Sequence, residues 1–526
     1  MTLTSLVLIP VILTVALILV PALVRLLDRD AGWPLAALFT ALVVWIIADP
    51  DLASGVIDGR TVSWSTTWLP DVLPGGGDVS LALRLDGLSL FFVLLALVIG
   101  AAVFAYSARY LHRTTEDHGD GVMSFYVLMT AFMASVVLLF LADDVTVLFI
   151  AWELVSLASF FLIARAGRTG EPGAMRTLLL TFTGGLSLLV ALGIAVATTG
   201  TTSLSGIIAS DAWGEDAVRT GIVAALIALA GFSKAAQFPF HAWLPEAMAA
   251  ITPVSAFLHA AAVVKAGIYL LMRFSGAFHE VTVWNLMLII SGMFTAVMAA
   301  VFAIQKPDLK KLTAYSTVSQ LGWIVATIGV GTPVALAAAV VHTAAHALFK
   351  SSLFMIIGVI DHQAGSRDLR DLGVLWRKMP WTFSGAVVAA ACMAGLPPTL
   401  GFVSKEGMLG AFEEAPVGTA GQIVLLTAAG IGAVATLLYS AKYVLGAFID
   451  GRPLDSDNPD SPDGAERVPS PSTTPDDEVR EASPVFWLPA VLPAFASIPA
   501  VCVLAFWDDP LDAVVSATGM TGADAH

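Results

Sequence analysis

The chain has 526 residues, of which 57% are hydrophobic and only 13% charged, with a mean hydropathy of +0.84 and a net charge of −15. Soluble domains carry about a quarter charged residues, so this composition excludes one and specifies a polytopic membrane protein. The acidic balance argues against nucleic acid and against a polybasic lipid-binding surface, and two distant cysteines in apolar spans, Cys392 and Cys502, supply neither a disulfide framework, a thiolate metal site nor an iron–sulfur cluster.

The N-terminus, Met1-Thr-Leu-Thr-Ser-Leu-Val-Leu-Ile-Pro10, lacks a basic leader and a small-residue cleavage site, so it reads as a retained first span. Windows of about 19 residues mark fourteen helical spans. They lie at 3–25, 33–50, 86–107, 122–142, 144–164, 175–199, 220–240, 251–273, 281–304, 311–330, 333–361, 381–411, 420–449 and 484–507. The seventh ends at Phe238-Pro239-Phe240-His241 and the twelfth contains Leu396-Pro397-Pro398. Proline removes a helix hydrogen bond, and the freed carbonyls are tolerated in a bilayer only beside a cavity or other protein. Broken helices therefore point to the transport region.

Basic residues gather on alternate loops: Arg25 and Arg29, Arg109 and Arg113, Arg165 and Arg168, Lys306 with Lys310 and Lys311, and Arg367, Arg370, Arg377 and Lys378. That side is expected to be cytoplasmic, with both termini outside. Residues 450–483 hold ten acidic residues and three arginines, a local net charge of −7, with many prolines and serines, and read as a solvated, partly disordered linker. A short echo, Gly231-Phe-Ser-Lys234 against Gly401-Phe-Val-Ser-Lys405, recurs five spans apart, an odd offset that implies inverted units.

The chemistry is in the intramembrane charges. A charge at the bilayer centre costs ~2.5–3.5 kcal/mol on insertion scales, so such groups pair, face water or serve a function. His342, His346 and Lys350 recur every four residues on one face of the eleventh span. Glu153 lies mid-span with Ser156 and Ser159 on its face, Lys234 precedes the first proline break with Gln237 one turn on, His259 and Lys265 share the eighth span, and Lys405 with Glu406 follows the second break. Thr313, Tyr315, Ser316, Thr317, Ser319 and Gln320 in the tenth span can hold a water wire between such centres. Burial lowers a lysine pKa and raises a glutamate pKa while an opposite charge reverses both, so a lysine with a movable glutamate is a proton switch.

Plainer readings exist for each. Glu153 and Lys234 can be a static ion pair fixing helix contacts, and His259 can simply satisfy a carbonyl. The His-x-x-x-His spacing lacks the glutamate and third ligand of a zinc helix. Lys310 and Lys311, at a membrane edge, read as snorkelling anchors. Gly430-Ile-Gly-Ala-Val-Ala435 is a helix-contact motif rather than a dinucleotide fingerprint, having no strand before it.

Lys234-Ala-Ala-Gln-Phe-Pro-Phe-His-Ala-Trp-Leu-Pro-Glu-Ala247, Thr252-Pro-Val-Ser-Ala-Phe-Leu-His259, Asp308-Leu-Lys-Lys-Leu-Thr-Ala-Tyr-Ser-Thr317 and His346-Ala-Leu-Phe-Lys350 resemble the antiporter-like membrane subunits shared by respiratory complex I and Mrp-type multisubunit Na+/H+ antiporters. Leu258-His-Ala-Ala-Ala-Val-Val-Lys-Ala-Gly267 and Ile360-Asp-His-Gln-Ala-Gly-Ser-Arg-Asp368 are most similar to the large A subunit of the Mrp assembly. The resemblance covers about residues 80–450. It implies an all-α polytopic fold: N-terminal spans over 1–121, two inverted five-helix units at 122–274 and 275–449, the acidic linker at 450–483 and a final span with tail at 484–526.

It further implies a proton path in which Glu153 and Lys234 form the first switch, Lys265 connects, His342, His346 and Lys350 relay, and Lys405 terminates. Sister subunits of a hetero-oligomer in the plasma membrane are the implied partners, Na+ and H+ the substrates, and pH homeostasis and sodium tolerance the roles, without cofactor or metal. Mrp A subunits usually continue into further spans associated with sodium passage, so the end at His526 reads as a fragment, a split subunit or a shortened form. The expected activity is secondary cation/proton antiport; the alternative is proton pumping within a complex I-like NADH:quinone oxidoreductase.

Overall fold

The computed structural model describes residues 5–73, 77–113, 120–449, 478–504 and 508–520. Helices α1 (Ser5–Leu27), α2 (Gly32–Ala48) and α3 (Gly55–Ile57) precede strands β1 (Val62–Leu73) and β2 (Gly77–Leu85). Then come α4 (Gly87–Tyr110), α5 (Asp120–Leu141), α6 (Val145–Ala164), α7 (Glu171–Thr199), α8 (Leu204–Ile208), α9 (Ala217–Lys234), α10 (Trp243–Glu246), α11 (Thr252–Ala260) and α12 (Val263–Phe278). The remainder is α13 (Thr282–Gln305), α14 (Leu309–Ile328), α15 (Pro333–Ala364), α16 (Pro380–Ala394), α17 (Leu400–Glu413), α18 (Gly418–Val444), α19 (Pro484–Ala496), α20 (Pro499–Leu504) and α21 (Asp508–Ser516).

Helices follow the apolar runs because a bilayer offers no hydrogen bonds to an open backbone. Among the described residues eleven helical runs are long and apolar enough to cross a membrane, the first of them, Ser5–Ala48, being α1 and α2 together. Pro380–Ala394 is too short to qualify, and Leu309–Ile328 is not among the eleven. Aspartates start several helices: Asp86 accepts from Ser89 N–H at 3.0 Å, Asp144 from Thr146 at 2.7 Å, Asp216 from Val218 at 3.0 Å and Asp308 from Lys311 at 2.9 Å. These are N-caps, each satisfying an otherwise orphaned N–H.

Both proline breaks are present. α9 stops at Lys234, and the chain crosses Gln237 to Ile251 in short turns before α11. α16 stops at Gly395, whose φ of +79° closes the helix end and whose N–H returns to Cys392 O at 3.1 Å, before α17 begins at Leu400. A third break lies between α11 and α12, where Ala262 has φ −108° and ψ −106°. It holds neither glycine nor proline, so the eighth span read as unbroken in the sequence.

The antiparallel hairpin of β1 and β2, with Trp64 opposite Leu83, is an addition to the expected fold. Its signal was in the sequence, as Val62-Ser-Trp64-Ser and Leu81-Ala-Leu83-Arg-Leu85 alternate on either side of a glycine run. α11, α12 and α15 form the buried centre, whereas α1, α7, α13 and α18 carry exposed large apolar side chains such as Ile18, Leu179, Ile290 and Val424. Residues 450–477 of the expected linker lie outside the described residues. Within 478–483, Glu481 accepts from Trp381 N–H at 2.8 Å and Thr382 Oγ1 at 2.6 Å, tying the chain to the start of α16.

Candidate functional site

Lys234, the last residue of α9, is fully buried. Its ammonium donates to Trp152 O at 2.9 Å and Ser156 Oγ at 2.8 Å, and lies 4.5 Å from the centre of the Trp152 ring. These acceptors come from α6, the helix that carries Glu153, yet Glu153 makes no ion pair with Lys234 within 4 Å and its buried Oε1 has no hydrogen-bond partner. Glu153 turns instead toward α7. A Cβ at Gly185 would sit 2.0 Å from Glu153 Oε1, and one at Gly184 would sit 1.7 Å from Ser233 Oγ beside Lys234. The Gly184-Gly185 pair thus seats both sides of the expected switch, a role the sequence reading missed.

The three aligned groups of α15 reach three different neighbours, all fully buried. Lys350 donates to Thr313 O at 3.3 Å, to Ser316 Oγ, and to Met393 Sδ at 3.4 Å. His346 Nδ1 lies 3.1 Å from Lys265 Nζ, joining α15 to α12. A proton can sit on either partner of that contact, as ammonium against a neutral ring or as imidazolium against an amine. His259, at the end of α11, has neither ring nitrogen bonded and lies 4.4 Å, centre to centre, from Phe354.

His342 is the most connected. Its Nε2 meets Gln320 Oε1 at 3.0 Å and its Nδ1 meets Ser404 Oγ at 2.8 Å. Gln320 in turn donates to Tyr439 OH at 2.6 Å. Since Gln320 Oε1 only accepts, Nε2 carries a proton. Ser404 then serves both charge states: its hydroxyl donates to a neutral Nδ1, or accepts from a protonated one while donating to Gly401 O at 3.1 Å. Lys405, next in sequence, has no hydrogen-bond partner for its ammonium among the described residues, and that ammonium lies 5.5 Å from the Trp323 ring centre.

The tenth-span polar residues divide as α14 turns. Thr313 and Ser316 hold Lys350, Gln320 holds His342, and Ser319 bonds Ala296 O at 2.7 Å, so α14 contacts both Lys350 and His342 of α15 along one helix. Tyr315 is only part-buried and faces Phe302.

Lys310 departs from expectation. It is 2% exposed rather than a snorkelling anchor, and donates to Ala250 O at 2.6 Å in the turn after α10, whereas Lys311 stays exposed. The carbonyls left open by that irregular segment capture it, and no residue near Lys310 in sequence announces them. Among the described residues no group of three or more His, Cys, Asp or Glu is placed to hold a metal.

A family model described as NADH:quinone oxidoreductase/Mrp antiporter, TM matches residues 142–434, and one described as NADH-Ubiquinone oxidoreductase (complex I), chain 5 N-terminus matches residues 72–119. The A/B subunit of a probable K(+)/H(+) antiporter from Rhizobium meliloti (strain 1021) is 38% identical over 79% of this chain and 41% of its own length. The A subunit of a Na(+)/H(+) antiporter from Alkalihalophilus pseudofirmus is 37% identical over 80% of this chain and 54% of its own length. A chain in the solved Mrp complex from Dietzia sp. DQ12-45-1b superposes with a TM-score of 0.88 at 46% identity, covering 99% of this chain and 53% of that one. The chain spans about half the length of the curated relatives it matches.

Proposed function

Because the chain belongs to the NADH:quinone oxidoreductase/Mrp antiporter transmembrane family, we propose that it is the antiporter-like part of an A-type subunit in a multisubunit monovalent cation/proton antiporter of the plasma membrane. The observation that carries this reading is the set of buried basic groups at helix breaks and along α15: Lys234, His259, Lys265, His342, His346, Lys350 and Lys405. Buried ionisable groups in a membrane interior are costly and are retained at ion paths.

In this reading proton influx moves through these groups while a cation leaves. Lys234 switches between its present acceptors, Trp152 O and Ser156 Oγ, and the nearby Glu153 carboxylate. Approach of that carboxylate favours the charged lysine and its withdrawal favours release of the proton. The Lys265–His346 contact passes the charge to α15, and the Gln320–His342–Ser404 chain carries it toward Lys405. Fourteen spans, two inverted units over 122–274 and 275–449, and termini on the outer side complete the proposal. Relatives are named for Na+/H+ and for K+/H+ exchange, and sodium is the cation proposed to leave. The exposed apolar faces of α1, α7, α13 and α18 support burial against sister subunits or lipid.

The test is collapse of a pre-formed pH gradient by sodium or potassium in everted vesicles carrying this chain with its neighbouring subunits, the gradient coming from an ATP-driven pump with respiration blocked. Cation-dependent collapse that Lys234→Ala abolishes is the expected result. Proton pumping that appears only with NADH and quinone would move the chain to the redox-driven branch of its family.

A further inference from the structure

Away from these groups, a dense polar cluster lies at the far end of α12. Lys265, Tyr269 and Arg273 recur every four residues on one face of that helix, over about 12 Å of its axis. Buried Arg273 donates to Asp86 Oδ2 at 2.6 Å and Oδ1 at 2.9 Å, to Ser89 Oγ at 2.8 Å, to Ala517 O at 3.2 Å and to Tyr269 OH at 3.1 Å. The Tyr269 hydroxyl donates onward to Phe140 O at 3.0 Å. Asp86 has a second cation, Arg84, with Nε at 2.9 Å.

Beside this cluster is a cavity of roughly 140 Å3, lined among others by Arg84, Arg273, Asp143, Ser205 and Thr518. At about 30 Å3 per water it has room for about four. Asp143 is fixed on its wall by Ser205, through the N–H at 2.9 Å and the hydroxyl at 3.0 Å. The end of α21 and the residues after it close one side, drawn in by two glycines: a Cβ at Gly87 would fall 2.2 Å from Ala513 O in α21, and one at Gly276 would fall 1.7 Å from Thr518 O beyond it.

We propose that this cavity is the outward mouth of the proton path and that Arg273, poised between Asp86 and Asp143, is its gate. The inference rests on the antiport reading and adds to it a branch leading from Lys265 to the outer surface. Two carboxylates and two guanidiniums make the cluster switchable. If Arg273 turns from Asp86 toward Asp143, Asp86 keeps Arg84, so no carboxylate is left alone. In the arrangement described here Arg273 pins the Tyr269 oxygen and the hydroxyl proton is committed to Phe140 O, so the branch is shut. With Arg273 withdrawn, Tyr269 accepts a proton from water in the cavity while giving its own toward Lys265. The tyrosine ends with the charge it began with, and Arg273 stays protonated throughout.

The experiment uses the assembled complex in vesicles of both orientations, with exposed Cys502 replaced by serine and Ser205→Cys introduced. A charged, membrane-impermeant methanethiosulfonate is expected to react from the outer face and to block exchange, and Tyr269→Phe is expected to slow exchange severalfold without loss of assembly. Reaction only from the cytoplasmic face, no reaction, or reaction with exchange unchanged overturns the mouth. Should Ser205→Cys fail to assemble, an unchanged rate in Tyr269→Phe overturns it alone. If Lys234→Ala still abolishes exchange in those cases, the antiport reading survives and only the branch falls; if Lys234→Ala is harmless, the antiport reading itself fails.

Discussion

The buried lysines meet the cost of burial in different ways. Lys234 uses a carbonyl, a hydroxyl and an aromatic face, Lys265 an imidazole, and Lys350 a carbonyl, a hydroxyl and a thioether. Among the described residues Lys405 has only the face of Trp323. The Lys350 pocket suits a compact ammonium that can lose its proton, which a guanidinium cannot do. Lys350→Arg is therefore expected to reduce cation-driven collapse of the pH gradient to background while the complex still assembles; exchange at the parental rate would remove Lys350 from the path.

Asp86, just outside α4, gives a pH-dependent test of stability. Burial alone drives its carboxyl up, but Arg273, Arg84 and the Ser89 N–H outweigh burial and hold it at about 2 against an ordinary 3.8. A depressed folded-state value means that its contribution is fully present above the ordinary value and lost as pH falls toward about 2; the shift corresponds to on the order of 2 kcal/mol. Thermal melts of the purified complex should lose that increment between pH 3.8 and about 2, and Asp86→Asn should remove the acid-dependent part. An identical acid loss in the variant would assign it to other carboxylates.

At this scale the sequence was readable wherever a charge interrupts an apolar run, because such charges are scarce. Their partners were not readable, since Ser404 and Gln320 come from other helices and the carbonyls around Ala250 from a turn distant in sequence. Glu153 shows the limit: its presence near Lys234 was expected, but its turn toward Gly185 is a product of how α6, α7 and α9 meet.

At the scale of elements, glycines decide how near the helices come. Gly185→Ala is expected to push the Glu153 carboxylate from its seat and lower exchange by about tenfold or more, one step of about 1.4 kcal/mol in barrier, with normal assembly. Gly193→Ala on the same helix, where nothing lies within 4 Å of the added carbon, should leave exchange unchanged. Equal rates for the two variants, measured by gradient collapse, would remove Glu153's position from the mechanism. Proline marked the ends of α9 and α16 before the structure did, because its missing N–H is a local property. The break between α11 and α12 escaped notice because Ala261 and Ala262 are permissive residues, and only their surroundings select the bent backbone.

Over the whole molecule, the apolar runs foretold the long helices, whereas the short helices α3, α8 and α10 and the hairpin lay in the gaps that span-counting passes over. Glu481 fastens the far side of the acidic tract to the N-terminal turn of α16. Removing a capping carboxylate costs about 0.5–2 kcal/mol, so Glu481→Ala should raise proteolytic cutting near Trp381 in the solubilised complex; an unchanged digestion pattern would make the contact incidental.

The polar face of α14 has a consequence for how the chain is built. A helix bearing Lys310, Thr313, Ser316, Ser319 and Gln320 is a poor candidate to leave a translocation channel for lipid by itself. α13, immediately before it, is apolar, and the two meet backbone to backbone: a Cβ at Gly292 would lie 2.5 Å from Ala326 N, and one at Gly322 would lie 2.5 Å from Gly292 O. During synthesis α13 can shelter its successor, so the pair is expected to enter the bilayer as one helical hairpin, and bulk added at either glycine to be felt at biogenesis before any ion moves.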